Sequence, residues 1–173
     1  MAKYDIRYYG DPVLRKKAEE VKEFTPEIKK IFDNMLETMY ANDGLGLAGN
    51  QVGITKRMFI VDTGTPGKPE IHRVVNPKIT FDPEEKILFE EGCLSFPGIT
   101  EKISRPSKVT LKGKDENGKG IEIKAEGLKA VAFQHETDHL NGVLFIDRMT
   151  PVKKMLHSKK LKEIKNRQKT QKA

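Results

Sequence analysis

Gln134-His135-Glu136-Thr137-Asp138-His139 lies inside a segment, Gly127 to Gly142, that reads as a helix. Histidines four residues apart stand one above the other on the same helical face, so both imidazoles can reach one cation. Glu136, beside the first of them, can face water on that cation and serve as a general base. Leu128, Val131 and Ala132 run into His135 and His139 at three- and four-residue steps. The two imidazoles are therefore expected to continue the buried stripe of the helix, away from solvent.

A catalytic metal site of this kind takes three protein ligands and keeps a fourth position open. In one protease pattern a third histidine follows the helix by way of a glycine; Gly142 fits, but the residue three further on is Phe145, which cannot bind metal. Glu163 sits in a lysine-rich stretch that looks surface-exposed. The better candidate lies upstream. Cys93, the only cysteine, falls within Glu91-Gly92-Cys93-Leu94-Ser95-Phe96-Pro97-Gly98, at the end of an expected strand and before a Pro-Gly turn. A lone cysteine often serves as a small buried hydrophobe, but a thiolate here could reach a helix packed beneath it. The expected ligand set is Cys93, His135 and His139.

Three separated motifs resemble those of the peptide deformylases, metal hydrolases that remove the formyl group from N-formylmethionine on new bacterial proteins. They are Gly44-Leu45-Gly46-Leu47-Ala48-Gly49-Asn50-Gln51, Glu91-Gly92-Cys93-Leu94-Ser95 and His135-Glu136-Thr137-Asp138-His139, and the resemblance runs from the N-terminus to about Pro151. It implies that Gln51 points at the formyl oxygen and that the Leu94 backbone N–H helps to hold the developing oxyanion. It also implies that Leu45 lines the methionine pocket and that Gly46 exposes backbone to the peptide. Leu128, Val131 and Ala132 are placed with them as substrate-binding residues. The implied cofactor is one divalent metal ion, natively Fe(II) and replaceable by zinc, nickel or cobalt; thiolate and imidazole together also suit zinc on chemical grounds. One departure is Gly49, where the family usually has a second alanine. Arg105 and Asp138 are expected to pair and fix the metal helix, since ligand helices usually need such support.

The remaining sequence bounds these readings. At 173 residues the chain is most simply one domain with room for a substantial core. No apolar run approaches membrane-spanning length, and Met1-Ala2-Lys3-Tyr4-Asp5 has no apolar signal core. A single cysteine excludes an internal disulfide and suits a reducing cytoplasm. From Pro151 onward nine Lys/Arg stand against the one acid Glu163, a net +8; the whole chain carries +7, so the rest sums to −1. The expected division is a catalytic body over 1–150 and a basic C-terminal helix or tail of the same domain over 151–173.

Thr25-Pro26-Glu27 is a helix start, and Ile28, Ile31, Phe32, Met35, Leu36 and Met39 recur at helical intervals up to Asn42-Asp43-Gly44. Strands are expected at Met58 to Val61, His72 to Val75, Ile79 to Phe81 and Ile87 to Glu90, and a hairpin turning at Glu116-Asn117-Gly118. His72 reads as an ordinary strand or surface histidine. The class is α+β: short antiparallel or mixed sheets packed around a buried metal-binding helix, with a C-terminal helix. In that last helix Val152, Met155 and Leu156 are expected to pack on the body while Leu161 and Ile164 drift off its face, with fraying beyond. Cutting after Leu156 should then spare turnover.

The expected partners are nascent formylmethionyl polypeptides, with a transient ribosome contact through the basic C-terminal helix and no membrane. Two other functions fit parts of the same residues: a zinc endopeptidase of the His-Glu-x-x-His type, and a basic ribosome-binding protein with a structural metal.

Overall fold

Pro26 at the first helical position starts α1 (Pro26–Ala41) after Thr25, although the Thr25 side chain makes no capping hydrogen bond. Ile28, Ile31, Phe32, Met35 and Met39 are buried along one side of it. The helix ends at Asn42-Asp43-Gly44, where Asp43 takes a left-handed φ of 54°. This computed structural model describes residues 2–171. Met1 and residues 172–173, which the expected spans 1–150 and 151–173 include, lie outside the described residues.

Among the described residues, seven strands follow in two antiparallel sheets. β1 (Gly46–Ala48), β2 (Met58–Asp62), β3 (Ile71–Phe81), β6 (Lys108–Lys114) and β7 (Gly120–Glu126) form a five-stranded sheet in the order β1-β2-β3-β6-β7. β4 (Lys86–Gly92) and β5 (Thr100–Pro106) form a separate ribbon whose register closes at Gly92 opposite Thr100. That end of the ribbon delivers Cys93. The hairpin expected around residues 116–118 is β6-β7. The strands expected at residues 72–75 and 79–81 are one strand, β3, interrupted by a register shift between Val75 and Lys78. Pro77 cannot donate a ladder hydrogen bond and is tolerated at such an irregularity. Asn76, with φ 51°, turns its side-chain amide to the backbone N–H and carbonyl of Val21.

The second helix, α2 (Gly127–Leu140), runs between these layers. It is buried on all sides from Ala130 to Leu140, the polar residues Gln134 to His139 included. This differs from the expected single stripe, and Leu128, at its first turn, is partly exposed. A helix enclosed all round is central to a fold, and its polar side chains must find partners inside the protein.

The C-terminal segment reverses the expectation for its two halves. It is not one helix but two, α3 (Pro151–Leu156) and α4 (Ser158–Gln171), divided at His157. Val152, Met155 and Leu156 are 66%, 71% and 75% exposed, whereas Leu161, Ile164 and Gln168 are buried. The break restarts the helical phase, so a periodicity counted continuously from Pro151 assigns the wrong face. Leu161 and Ile164 join Leu14, Phe96, Phe145 and Ile146 in one apolar cluster, and α4 stays helical to Gln171. The class is α+β, with small antiparallel sheets and C-terminal helices.

Candidate active site

His135 and His139 project from the same face of α2, with ring centroids 5.0 Å apart. The ribbon end brings Cys93 to them: its Sγ lies 3.3 Å from His139 Nε2. One ligand atom from each of Cys93, His135 and His139 falls within 4.8 Å of the others. His135 turns its Nδ1 to the Glu91 carboxylate at 2.9 Å, which leaves Nε2 for a cation. A thiolate and two imidazoles so arranged fit one first-row divalent metal. Burial disfavours charge on both rings. Cys93 and Glu91 nevertheless raise His135 above the usual range, while His135 and Arg105 lower His139 further. A proton on His135 answers the same negative partners that a cation would.

Behind the histidines lies a buried chain of charges. Arg105, 2% exposed, donates from Nε and Nη2 to both Glu91 oxygens at 2.7 and 2.8 Å, and from Nη1 to Asp138 Oδ2 at 2.7 Å. Arg148 closes on Asp138 from outside, with two bonds at 2.6 and 2.7 Å. Burial alone would raise the Glu91 carboxyl, but Arg105 and His135 hold it down to about 2. The anionic Glu91 therefore orients His135, and Arg105 ties that anion to α2 through Asp138.

In front of the histidines is a cavity of about 540 Å³. His135, Glu136, Cys93, Leu94 and Gln51 line it, and so do Leu45, Gly46, Leu128, Val131 and Ala132. Glu136 is buried, and Oε2 has no protein partner. Burial pushes its carboxyl up to about 7, against the opposing charge of His135. A side chain at Gly46 would run into the Glu136 carboxylate, so the absence of a Cβ there makes room for it.

Gln51 is fixed at both ends. Its Oε1 accepts from Ala48 N–H at 2.9 Å, which turns Nε2 toward Cys93 Sγ at 3.4 Å and Ser95 Oγ at 3.2 Å. A Cβ at Gly49 would stand 2.7 and 2.9 Å from the carbonyl oxygens of Ile54 and Lys56, so the short helix Gly49–Val52 packs more closely here than alanine would allow.

The description Polypeptide deformylase belongs to the family model that matches residues 3–155. A peptide deformylase of Thermodesulfovibrio yellowstonii is 50% identical over 163 residues, covering 94% of this chain and 98% of the relative. One from Halothermothrix orenii is 53% identical over 147 residues, or 85% and 94% of the two chains. The crystal structure of peptide deformylase from Thermotoga maritima superposes with a TM-score of 0.82 at 46% identity, covering 87% of this chain and all of that one (100%). The chain belongs to the polypeptide deformylase family. It is therefore an enzyme.

Within this deformylase the other histidines stand apart from the trio. His72 is on β3, paired with Val61 and edge-on to the Phe133 ring; His157 meets Glu101 at 3.1 Å. Phe145 packs against Phe96, and Glu163 lies on the surface near Lys160. Sequence reasoning missed the part played by Glu91, although strand alternation offered a signal: residues 91 and 93 share a side of an extended chain. Asn50 was missed too. It is fully buried and donates to the carbonyls of Lys16 at 2.7 Å and His139 at 2.9 Å, pinning the end of α2. No local pattern pointed to Arg148.

Proposed function

We propose that this deformylase holds one divalent cation with Cys93, His135 and His139 and uses Glu136 as general base. It removes the formyl group from the N-terminal formylmethionine of newly made polypeptides and releases formate. The observation that carries this reading is the convergence of one thiol and two imidazoles within 4.8 Å, with the Glu136 carboxylate in the same cavity. When bound, the cation supplies Lewis acidity, polarising the formyl carbonyl and making water acidic enough to ionise near neutral pH. Fe(II) is the native metal in this reading, with zinc, nickel or cobalt able to replace it.

Glu136 takes a proton from the attacking water and passes it to the leaving amine as the C–N bond breaks. A carboxyl near 7 is matched to giving and taking a proton at neutral pH. The Gln51 side-chain amide and the Leu94 backbone N–H donate to the formyl oxygen as negative charge develops on it. Leu45, Leu128, Val131 and Ala132 receive the methionine side chain. Gly46 offers backbone to the peptide, and the position of β1 at the margin of its sheet leaves it an edge for strand addition. Asp138 and Arg105 hold the metal helix and, through Glu91, the first imidazole.

Residues 1–150 form the catalytic body in this reading, and 151–173 the basic C-terminal helical segment of the same domain, which meets the ribosome transiently in the cytoplasm. The exposed Val152, Met155 and Leu156, flanked by lysines, support that contact, which should weaken with added salt through counterion release. The deciding experiment measures formate release from a formyl-Met peptide beside cleavage of internal peptide bonds. Formate release alone is expected, and Glu136→Ala should abolish it by several orders of magnitude while retaining metal. Internal cleavage, or a fully metallated Glu136→Ala with near-normal turnover, would overturn the reading.

A further inference from the structure

The helix α4 does more than carry positive charge. Its buried Gln168 reaches two points of the N-terminal segment: Tyr8 N–H donates to Gln168 Oε1 at 2.7 Å, and Gln168 Nε2 donates to Asp11 Oδ2 at 3.3 Å. Arg167 lies over the Tyr8 ring at 4.8 Å and Lys165 over the Tyr9 ring at 5.4 Å. Gly10, at φ 104°, brings the chain so near α4 that a Cβ there would sit 2.8 Å from Lys165 Cγ. Residues 8–11 are thus gripped along one side by the C-terminal helix.

The same short segment holds the oxyanion side of the cavity on its other side. Arg7 N–H donates to the Gln51 carbonyl at 2.7 Å, and Tyr9 N–H donates to the Ser95 carbonyl at 3.0 Å. Ser95 Oγ in turn receives Gln51 Nε2, and Tyr8 lines the cavity itself. Tyr9 stacks on Phe96, 5.1 Å between centroids, next to the loop that presents Leu94. Through Tyr8, Gln168 is therefore linked to its chain neighbours Arg7 and Tyr9, which hold the carbonyl of Gln51 itself and that of Ser95, the residue after Leu94.

We infer that α4 braces the oxyanion side of the active site, with Gln168 as a positioning residue that acts through residues 7–9 on Gln51. The inference rests on the reading of Gln51 as donor to the formyl oxygen. Gln168 touches no reacting atom. Its loss should misalign Gln51, and misalignment of a donor that acts mainly in the transition state lowers kcat more than it raises KM.

The experiment is a double-mutant cycle on the metal-loaded full chain with a short formyl-Met peptide, with melting curves to show that each variant is folded at the assay temperature. Gln51→Ala should cost roughly 10²- to 10³-fold in kcat, the usual effect of deleting an oxyanion donor. Gln168→Leu should cost about tenfold in kcat with KM changed less than twofold, and that factor should vanish in the Gln51→Ala background. Gln168→Glu alone should show a similar loss. Adding Asp11→Asn exchanges donor and acceptor across the 11–168 contact and should recover most of the rate. Should Gln168→Leu fail to fold, Gln168→Glu takes its place in the cycle. A harmless Gln51→Ala would sink the reading of Gln51 itself. If Gln51→Ala is damaging, wild-type kcat in the Gln168 variants, or an equal loss with and without Gln51, overturns the brace.

Discussion

Replacing Arg105 by methionine keeps much of the side-chain volume and removes the charge at the centre of the buried chain. Asp138 would still hold two bonds from Arg148, so its loss is small. Glu91 would lose both of its guanidinium bonds and keep only His135 Nδ1. Breaking one member of a buried pair in this way costs about 3–5 kcal/mol, because the remaining charge stays buried without compensation. For a chain of this size each 1 kcal/mol moves the melting temperature by about 2–4 °C, so the metal-free Arg105→Met protein should melt roughly 6–20 °C below wild type. Calorimetry on the metal-free proteins in reducing buffer measures this without interference from metal binding. Adding Glu91→Gln removes the stranded charge while keeping an acceptor for His135, so the double variant should recover at least half of the loss. A single variant melting within 2 °C of wild type, or a double variant as unstable as the sum of both changes, would refute the argument.

Gly46→Ala puts a methyl group where the Glu136 carboxylate lies; kcat should fall about 100-fold, as for a displaced catalytic group, with metal content intact, and near-normal turnover would contradict the packing described. Cys93→Ser should weaken metal binding more than about 100-fold, beyond the effect of losing a supporting partner; chelator competition measures it, and an unchanged affinity excludes ligation. Leu161→Ala should cost about 2–5 kcal/mol in urea unfolding, against about 0.5 kcal/mol or less for Leu156→Ala on the surface, and the opposite order would restore the earlier assignment of helix faces. On the same grounds, cutting after Leu156 removes buried Leu161, Ile164 and Gln168 and should lower stability as well as charge.

The sequence by itself determined the features that depend on local repeat. The four-residue spacing of His135 and His139 puts both rings on one face whatever surrounds the helix. Alternation and turn residues marked β6-β7, and the sole cysteine before a Pro-Gly turn drew attention to Cys93. Tertiary structure alone decided how distant segments share burial. Whether Arg105 faces solvent or is enclosed depends on Glu91, Asp138 and Arg148 arriving from three other elements, and a buried charge is stable only when such partners meet it. The faces of α3 and α4 depended on a break at His157, after which α4 could bury Leu161, Ile164 and Gln168 against the N-terminal segment. The need for glycine at position 46 came from Glu136, 90 positions along the chain. A residue's own periodicity carries no record of the side chain that will stand against it, because that contact forms only when the β-ribbon, the edge strand and the central helix pack together.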